Sequence, residues 1–517
     1  MLPGMSLQAC IPGILLLPGP VLSAATFTLL GDLPGGQVRA TARALSSDGS
    51  IVAGTGHVES GSQAWVWNQN DGFVILPSIS DNGRSAVFGM SDDGEVVVGE
   101  ARNLFNKDQA VLWTRQRDRS YRATALPVPV GSKFEFGGGF PLNMVAYAVS
   151  GDGSIIVGQG ETNENTGGRV FEAFYWTRST GVQAMGNLSN GSFLRTVRDI
   201  DGISTTVTKP AYSSARDIDR SGTFAVGPSR SSIRPAPSTT PASEVFRFRF
   251  GEGTISGLGD LQDPPFSSTA EAISADGSTI TGQARDPDLG QVAFRYTDET
   301  GMVALGDLPT GSTVATGLGA NASGTVIVGR GTVERDVSIT NNTSRAFIWT
   351  ESLGLRDLAE VAGLTAAELG PNGFLEEALA VSDDGLTIAG AYGDSTNDLQ
   401  TPDRHAFLIR FTAAELGLVE GPTPFTLAAT LSLQFTRSSI AFPFDITLPY
   451  SYTLQFSPDL ATSFASQVRF TPDGDRSFTR ADLAPGYSGT ASLVDGKLTE
   501  MPSIPPFGYW RVVISVP

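Results

Sequence analysis

Short apolar runs rich in β-branched residues, each framed by two glycines five positions apart, punctuate the chain. The pairs are Gly49/Gly54, Gly94/Gly99, Gly153/Gly158, Gly222/Gly227, Gly277/Gly282, Gly324/Gly329 and Gly385/Gly390. Between them stand runs such as Ile51-Val52, Val96-Val97-Val98, Ile155-Ile156-Val157 and Val326-Ile327-Val328. Upstream of each pair lies a strand with small residues at alternate positions: Ala42/Ala44, Ala146/Ala148, Ala270/Ala272, Gly317/Gly319 and Ala378/Ala380. Alternate positions share one face of a strand. Small side chains on that face suit strands crowded together at an axis. Arg43, Arg216 and Glu271 interrupt them on the other alternate positions.

The first glycine is preceded by Ser-x-Asp or a close variant, from Ser46 to Asp48 in the first unit and Ser382 to Asp384 in the last. Ser and Asp side chains bond the backbone ahead of them, and Asp-Gly between apolar runs marks a hairpin. After a loop comes a third strand rich in aromatics, as in Ala64-Trp65-Val66-Trp67, Ala173-Phe174-Tyr175-Trp176 and Ala346-Phe347-Ile348-Trp349. A polar turn then leads to a fourth strand that often contains Leu-Gly-Asp-Leu, at 258–261 and 305–308, with Met185-Gly186-Asn187-Leu188 as a variant. Four short strands per unit is the pattern of a β-propeller blade. Seven units predict an all-β chain with a seven-bladed β-propeller over 26–412; a β-sandwich or a β-helix is the alternative.

The ends of the repeat array agree with closure. The seventh unit ends at His405-Ala406-Phe407-Leu408-Ile409-Arg410 with no Leu-Gly-Asp-Leu strand after it. That strand stands instead at Phe27 to Leu33, before Pro34-Gly35-Gly36. The N-terminal strand is therefore expected to complete the last blade and remove an open sheet edge.

The succession Leu-Gly-Asp-Leu-Pro-Gly-Gly, Ala-x-Ala-Leu-Ser-x-Asp-Gly-x-Ile-Val-x-Gly and then an Ala-Phe-x-Trp strand resembles the HAF-repeat family of bacterial extracellular repeat proteins. The likeness covers about residues 26–412, and His405-Ala406-Phe407 is the literal triplet. The resemblance implies export and a propeller-like fold. It implies no particular activity.

Composition narrows the partners. The 517 residues carry a net charge of −18 and only four lysines, Lys107, Lys133, Lys209 and Lys497. Nucleic-acid binding needs clustered cations, so no nucleic-acid partner is expected, nor a polybasic membrane patch. The single cysteine, Cys10, lies in a segment that reads as a signal peptide over 1–25. There Ile11 to Leu17 is apolar, and Ser23-Ala24-Ala25 supplies small cleavage-site residues. No integral membrane segment is expected in the mature chain, which reads as a secreted or cell-surface monomer.

A polar linker, 413–423, precedes a second module at 424–517 with alternating strands but no repeat glycines. Its size suits a small β-sandwich. Leu454-Gln-Phe-Ser-Pro-Asp-Leu460 and Tyr509-Trp-Arg-Val512 resemble C-terminal modules of exported Planctomycetes and Verrucomicrobia proteins, with Phe464 where those carry a tryptophan.

The search for chemistry yields little. The two histidines, His57 and His405, fall in neighbouring units once the array closes, without a ligand cluster beside them. Glu161, Asn163, Asn165 and Glu172 approach a calcium loop, but the glycine stands at 167, out of register for one. No catalytic, metal or cofactor site is expected. The Ser-x-Asp-Gly turns define a uniform face, and the loops at 127–142, 189–213, 228–243, 330–344 and 391–403 define a variable one. Recognition usually sits on variable loops of a rigid scaffold. Phe134, Phe136, Phe140, Arg230 and Arg234 are the candidate contacts there. The expected function is non-catalytic binding of a glycan or protein; a polysaccharide-active enzyme and a structural envelope component are the alternatives.

Overall fold

The computed structural model describes residues 25–418 except 81–82, 136–140, 164–169, 189–192, 199–203, 210–211, 232–242, 263–265, 309–310, 334–342 and 395–402, and beyond 418 only strand segments. The expected signal segment lies outside these residues save for its last position. The chain forms two compact units, Met1–Gly417 and Leu418–Pro517.

In the first unit every glycine pair sits in a four-stranded antiparallel group. The first group runs Thr41–Leu45, Ile51–Val58, Gly61–Asn68 and Gly72–Ile75, in sheet order. Groups at 85–125, 144–186, 217–257, 269–306 and 311–357 repeat that order, and a parallel bridge between Gln291 and Val314 joins the fifth to the sixth. The last group takes its fourth strand from the other end of the chain. Thr26–Gly31 pairs antiparallel with Asp403–Arg410, with Phe27 opposite Ile409 and Thr28 opposite Leu408. The strand that the seventh unit lacks in sequence is thus supplied by the first strand of the chain.

The turn between first and second strands is built the same way in five of the seven groups, and in the sixth Asn321 Oδ1 takes the place of the Ser hydroxyl in accepting from the Val326 N–H. In the first group the Ser46 hydroxyl donates to Asp48 Oδ1 at 2.6 Å and accepts from the Ile51 N–H at 2.9 Å. The same side-chain pair recurs at Ser91/Asp93, Ser150/Asp152, Ser274/Asp276 and Ser382/Asp384. In the fourth group the polarity is swapped, with Asp219 accepting from Ser221 and from the Phe224 N–H. Gly49 closes the turn at a φ of +66°, where a side chain is disfavoured.

Successive turns are also bonded to each other through the backbone of the x residue and its neighbour. Ser47 N–H donates to Asp92 O, Asp92 to Gly151 O, Gly151 to Arg220 O and Arg220 to Ala275 O. Asp276 donates to Ala322 O, Ala322 to Asp383 O, and Asp383 returns to Ser47 O, over distances of 2.9 to 3.2 Å for the set. Each first strand is held to the next at this end.

The second glycine of each pair has a different task. Gly54 lies opposite Trp65, Gly158 opposite Phe174, Gly329 opposite Phe347 and Gly390 opposite Phe407, so an aromatic ring covers the backbone a side chain would otherwise occupy. A Cβ at Gly54 would fall 2.1 Å from Thr41 O and 2.4 Å from the Trp65 ring. That close approach coincides with a register shift in the first strand: between Ala42/Ala44, Val87/Gly89, Ala146/Ala148, Ala270/Ala272, Gly317/Gly319 and Ala378/Ala380 one residue is left out of the ladder. Bulges of this kind re-aim a side chain.

Several expectations need correction. Leu-Gly-Asp-Leu forms the fourth strand only in part: Leu305-Gly306 and Leu30-Gly31 end the strands Gly301–Gly306 and Thr26–Gly31, whereas Thr254–Gly257 stops just before Leu258, and the Asp lies past the strand each time. Its Asp instead clamps the chain after the strand: Asp32 accepts from the Leu33 and Arg39 N–H groups, Asp260 from Leu261 and Ser267. Three of the variable loops start later than expected, because second strands continue to Arg230, Val333 and Asp394. The 189–213 stretch contains a hairpin, Phe193–Arg198 with Ser204–Lys209. The second unit holds two four-stranded antiparallel sheets, one drawn from segments between 434 and 499 and one from segments between 451 and 515.

Gly54→Ala is expected to lower stability by about 3 kcal/mol, since neither the Thr41 carbonyl nor the Trp65 ring can withdraw without disturbing the bulge. Gly72→Ala, where an added Cβ meets nothing within 4 Å and only the positive φ is strained, should cost about 1 kcal/mol. Equal losses in urea melts would show that the close approach is not what the second glycine protects.

Candidate functional site

The residues skipped by the bulges converge. A cavity of about 220 Å³ is lined by the first strands of all the groups, and Arg43, Phe88, Tyr147, Glu271, Leu318 and Leu379, the skipped residues, are in its wall. Arg216 of the fourth group joins them. The small residues on either side, such as Ala42 and Ala270, are fully buried between sheets. Crowding is therefore relieved by Ala and Gly, and the one position free of the ladder carries the large or charged side chain.

The cavity wall has a polar, aromatic arc. Arg43 Cζ lies 5.3 Å from the Phe88 ring centre, and Arg216 Cζ 4.5 Å from that of Tyr147. The two rings meet edge to face at 5.3 Å. Arg216 Nε is 3.8 Å from Glu271 Oε2, an ion contact too long for a hydrogen bond. Stacking on an aromatic face contributes about 0.5–2 kcal/mol per cation. Burial raises the Glu271 and Tyr147 pKa values. Asp217 also lines the cavity, accepts from the Ile273 N–H at 2.9 Å and the Ile218 N–H at 2.9 Å, and is pushed up to about 7 by burial.

Toward the uniform turns, the wall continues through Leu45, Met90, Val149, Ala320 and Val381. Past these residues, at the turns themselves, Arg220 reaches two other x positions. Its Nε lies 2.7 Å from Asp92 Oδ2, without hydrogen-bond alignment, and its Nη2 donates to the Asp383 carboxylate. Gly151 leaves room for this crossing, since a Cβ there would fall 2.5 Å from Asp92 Oδ2 and 2.6 Å from Arg220 Cγ. The opposite charges at Asp92, Arg220 and Asp383 were the signal in the sequence, at positions where a repeat pattern reads only "any residue".

The residues expected to make contacts on the variable face fare unevenly. Phe134 is corrected: it is 1% exposed and packs on Phe174 at 6.1 Å, filling the core beside Gly160, where the period of the repeat gives no hint of it. Arg230 ends a second strand, half-buried. Phe136, Phe140 and Arg234 lie outside the described residues. Among the described residues, the loops present the exposed apolar side chains Leu104 at 83%, Phe105 at 66%, Val130 at 83% and Leu289 at 45%.

His57 and His405 both lie near enough to Asp32 to favour its ionised form electrostatically, although burial dominates and raises its pKa. Asp32 is occupied by its backbone clamp. Of the calcium-like set, Glu172 pairs with Lys133 at 2.9 Å, and Asn143 donates to Glu161. Asn165 lies outside the described residues. Among the described residues no group of three His, Cys, Asp or Glu side chains is placed to hold a metal ion. No helix among them is long and apolar enough to cross a membrane.

No family model and no curated protein matches the chain. Solved structures that resemble it include TolB from Acinetobacter baumannii, with 12% identity, a TM-score of 0.34, and 59% of this chain against 62% of that one. An oligogalacturonate lyase from Vibrio parahaemolyticus is similar over 76% of this chain and 98% of its own, at 10% identity and a TM-score of 0.43. The β-propeller domain of the Trilobed protease from Pyrococcus furiosus is similar over 74% and 97%, at 9% identity and a TM-score of 0.41. Likeness at this level identifies no site in this chain.

Two sets of carboxylates give opposite pH dependence. Asp48 and Asp152 are held low, first by the Ser46 and Ser150 hydroxyls, so the stability they contribute is lost as pH falls below the ordinary carboxylate range. Asp217 runs the other way. Unfolded, it ionises near 3.8, and folded near 7, so stability falls as pH rises from about 4 to 7 and then levels, by on the order of 4 kcal/mol. Asp217→Asn is expected to flatten the melting temperature across that window. A slope as steep as that of the parent would refute the assignment.

Proposed function

We propose that residues 26–412 form a seven-bladed β-propeller closed by the strand Thr26–Gly31, and that the protein is an exported, non-catalytic binding protein. The return of the turn-to-turn hydrogen bonds from Asp383 to Ser47 supports closure, and the pairing of Thr26–Gly31 with Asp403–Arg410 supports the order of its last blade. The binding reading is carried by one contrast between the two faces. On one, equivalent turns are tied into a common hydrogen-bonded circuit and crossed by the Arg220 ion contacts. On the other, loops differ in length from group to group and present Leu104, Phe105 and Val130 to solvent. The Ser-x-Asp-Gly turns are spent on the scaffold, although a cavity of about 770 Å³ opens beside them between Asn68–Asp71 and Arg115–Arg119; the loops of the other face are free to vary.

The ligand class on that face is a glycan or a protein. Arrays of both, probed with the chain lacking 1–25, should yield ligands whose capture is weakened several-fold by the double substitution Leu104→Ser/Phe105→Ser. Capture unaffected by this pair and by loop grafting would place recognition elsewhere, and cleavage of an arrayed glycan would make the protein an enzyme. For closure, removal of residues 26–31 should lower the melting temperature by 10 °C or more, about what loss of several kcal/mol implies. An unchanged melt would contradict it.

A further inference from the structure

Arg43 is a cation without an acceptor. Its guanidinium carries five N–H donors, it lines the central cavity, and it stacks on the Phe88 ring at 5.3 Å. Among the described residues it makes no hydrogen bond and no ion pair. The acidic groups that act on it are otherwise engaged or disfavoured as anions. Glu377 is 3.5 Å from Arg330, and the pKa of Glu100 is raised, chiefly by burial and then by Asp108. Of the two acidic residues that line the cavity, Glu271 is beside Arg216, and Asp217 accepts from the Ile273 and Ile218 N–H groups. A charged, half-buried guanidinium held on an aromatic face and left with free donors is a preformed hook for a planar anion.

The rest of the cavity limits what that anion can be attached to. Phe88 and Tyr147 on one side, and Leu318 and Leu379 on the other, supply the apolar part of a wall that also carries Arg43, Arg216, Asp217 and Glu271 around about 220 Å³. Phosphate or sulfate alone would leave these walls without a partner. A polymer would need a continuous channel, whereas Leu45, Met90 and Val149 narrow the wall toward the turns and the Arg220 ion contacts cross beyond them. The fit is to a molecule of about ten non-hydrogen atoms or somewhat more, with an apolar body and a single carboxylate.

We propose that the central cavity is a binding site for a small carboxylic acid with an aromatic or branched aliphatic body, its carboxylate held bidentately by Arg43 and its body seated between Phe88, Tyr147, Leu318 and Leu379. The site rests on the binding-protein reading but is separate from the loop face. It also gives the bulges a purpose. Without the register shift, residue 43 would take part in the ladder, and the guanidinium would have no reason to be held over Phe88.

Calorimetric titration of the full chain with phenylacetate and with phenethylamine tests this. Phenylacetate should bind one per chain with a Kd of about 0.1–1 mM, and phenethylamine, with the same ring and the opposite charge, at least tenfold more weakly. Arg43→Gln should weaken phenylacetate at least tenfold, while Arg119→Gln, on the uniform face, leaves it unchanged. If Arg43→Gln does not fold, the guanidinium resonance of Arg43 in the parent protein decides: it should shift on titration. No heat with phenylacetate at several millimolar, equal binding of the amine, or binding that leaves the Arg43 resonance unmoved would each overturn the proposal. Failure here alongside intact capture on the glycan and protein arrays removes only the central site. Loss of array capture with phenylacetate binding intact removes only the loop face.

Discussion

The backbone hydrogen bonds that pass from turn to turn, Ser47 to Asp92 and onward until Asp383 returns to Ser47, are the constraint on which the rest of the first unit depends. A buried or crowded N–H needs a partner, and here each turn supplies the acceptor for its neighbour. Because the bonds come from the central residue of each turn, or in the fifth turn from its neighbour Asp276, the turn must be rigid for them to form. The Ser–Asp side-chain pair makes it so, with the hydroxyl bonding Asp on one side and a backbone N–H on the other. Gly49 and its counterparts then carry the positive φ that lets the second strand leave. Local chemistry and long-range order are the same set of atoms.

The second glycine extends this logic inward. Its missing side chain lets the first strand approach until a carbonyl stands where a Cβ would be, and the first strand answers by bulging. The bulged residue is excused from the ladder. Evolution of sequence at Arg43, Phe88, Tyr147, Glu271, Leu318 and Leu379 can therefore proceed with little cost to the fold, although the residues on either side are confined to small side chains. In six groups the scaffold frees one first-strand position from the ladder and directs it at one cavity.

Much of this was legible in the sequence. The strand order within each group, the turns, and the dependence of the last group on Phe27 and its neighbours all follow from period-two alternation, Asp-Gly signals and the missing Leu-Gly-Asp-Leu after Arg410. The rest was hidden for physical reasons. A bulge leaves no mark on an alternating pattern, so Arg43, Arg216 and Glu271 were visible as interruptions but not as neighbours around one cavity. Asp92, Arg220 and Asp383 sit at positions of unrelated residue type, and only the circuit of turns brings them together. Phe134 lies beside glycine-rich sequence and reads as a loop aromatic, yet Gly160 opens the space that it fills. The leucines of Leu-Gly-Asp-Leu read as strand, and Leu30 and Leu305 do lie in one, while the aspartate acts beyond it by accepting from backbone N–H groups.

The measurement that bears most directly on this account is amide hydrogen exchange at Ser47, Asp92, Gly151, Arg220, Asp276, Ala322 and Asp383. If the turns form one cooperative circuit, these amides should exchange with a common opening free energy close to that of global unfolding, and removing residues 26–31 should lower all of them together. Exchange at rates typical of solvent-exposed turns, or loss of protection confined to Asp383 and Ser47 in the truncated chain, would contradict it.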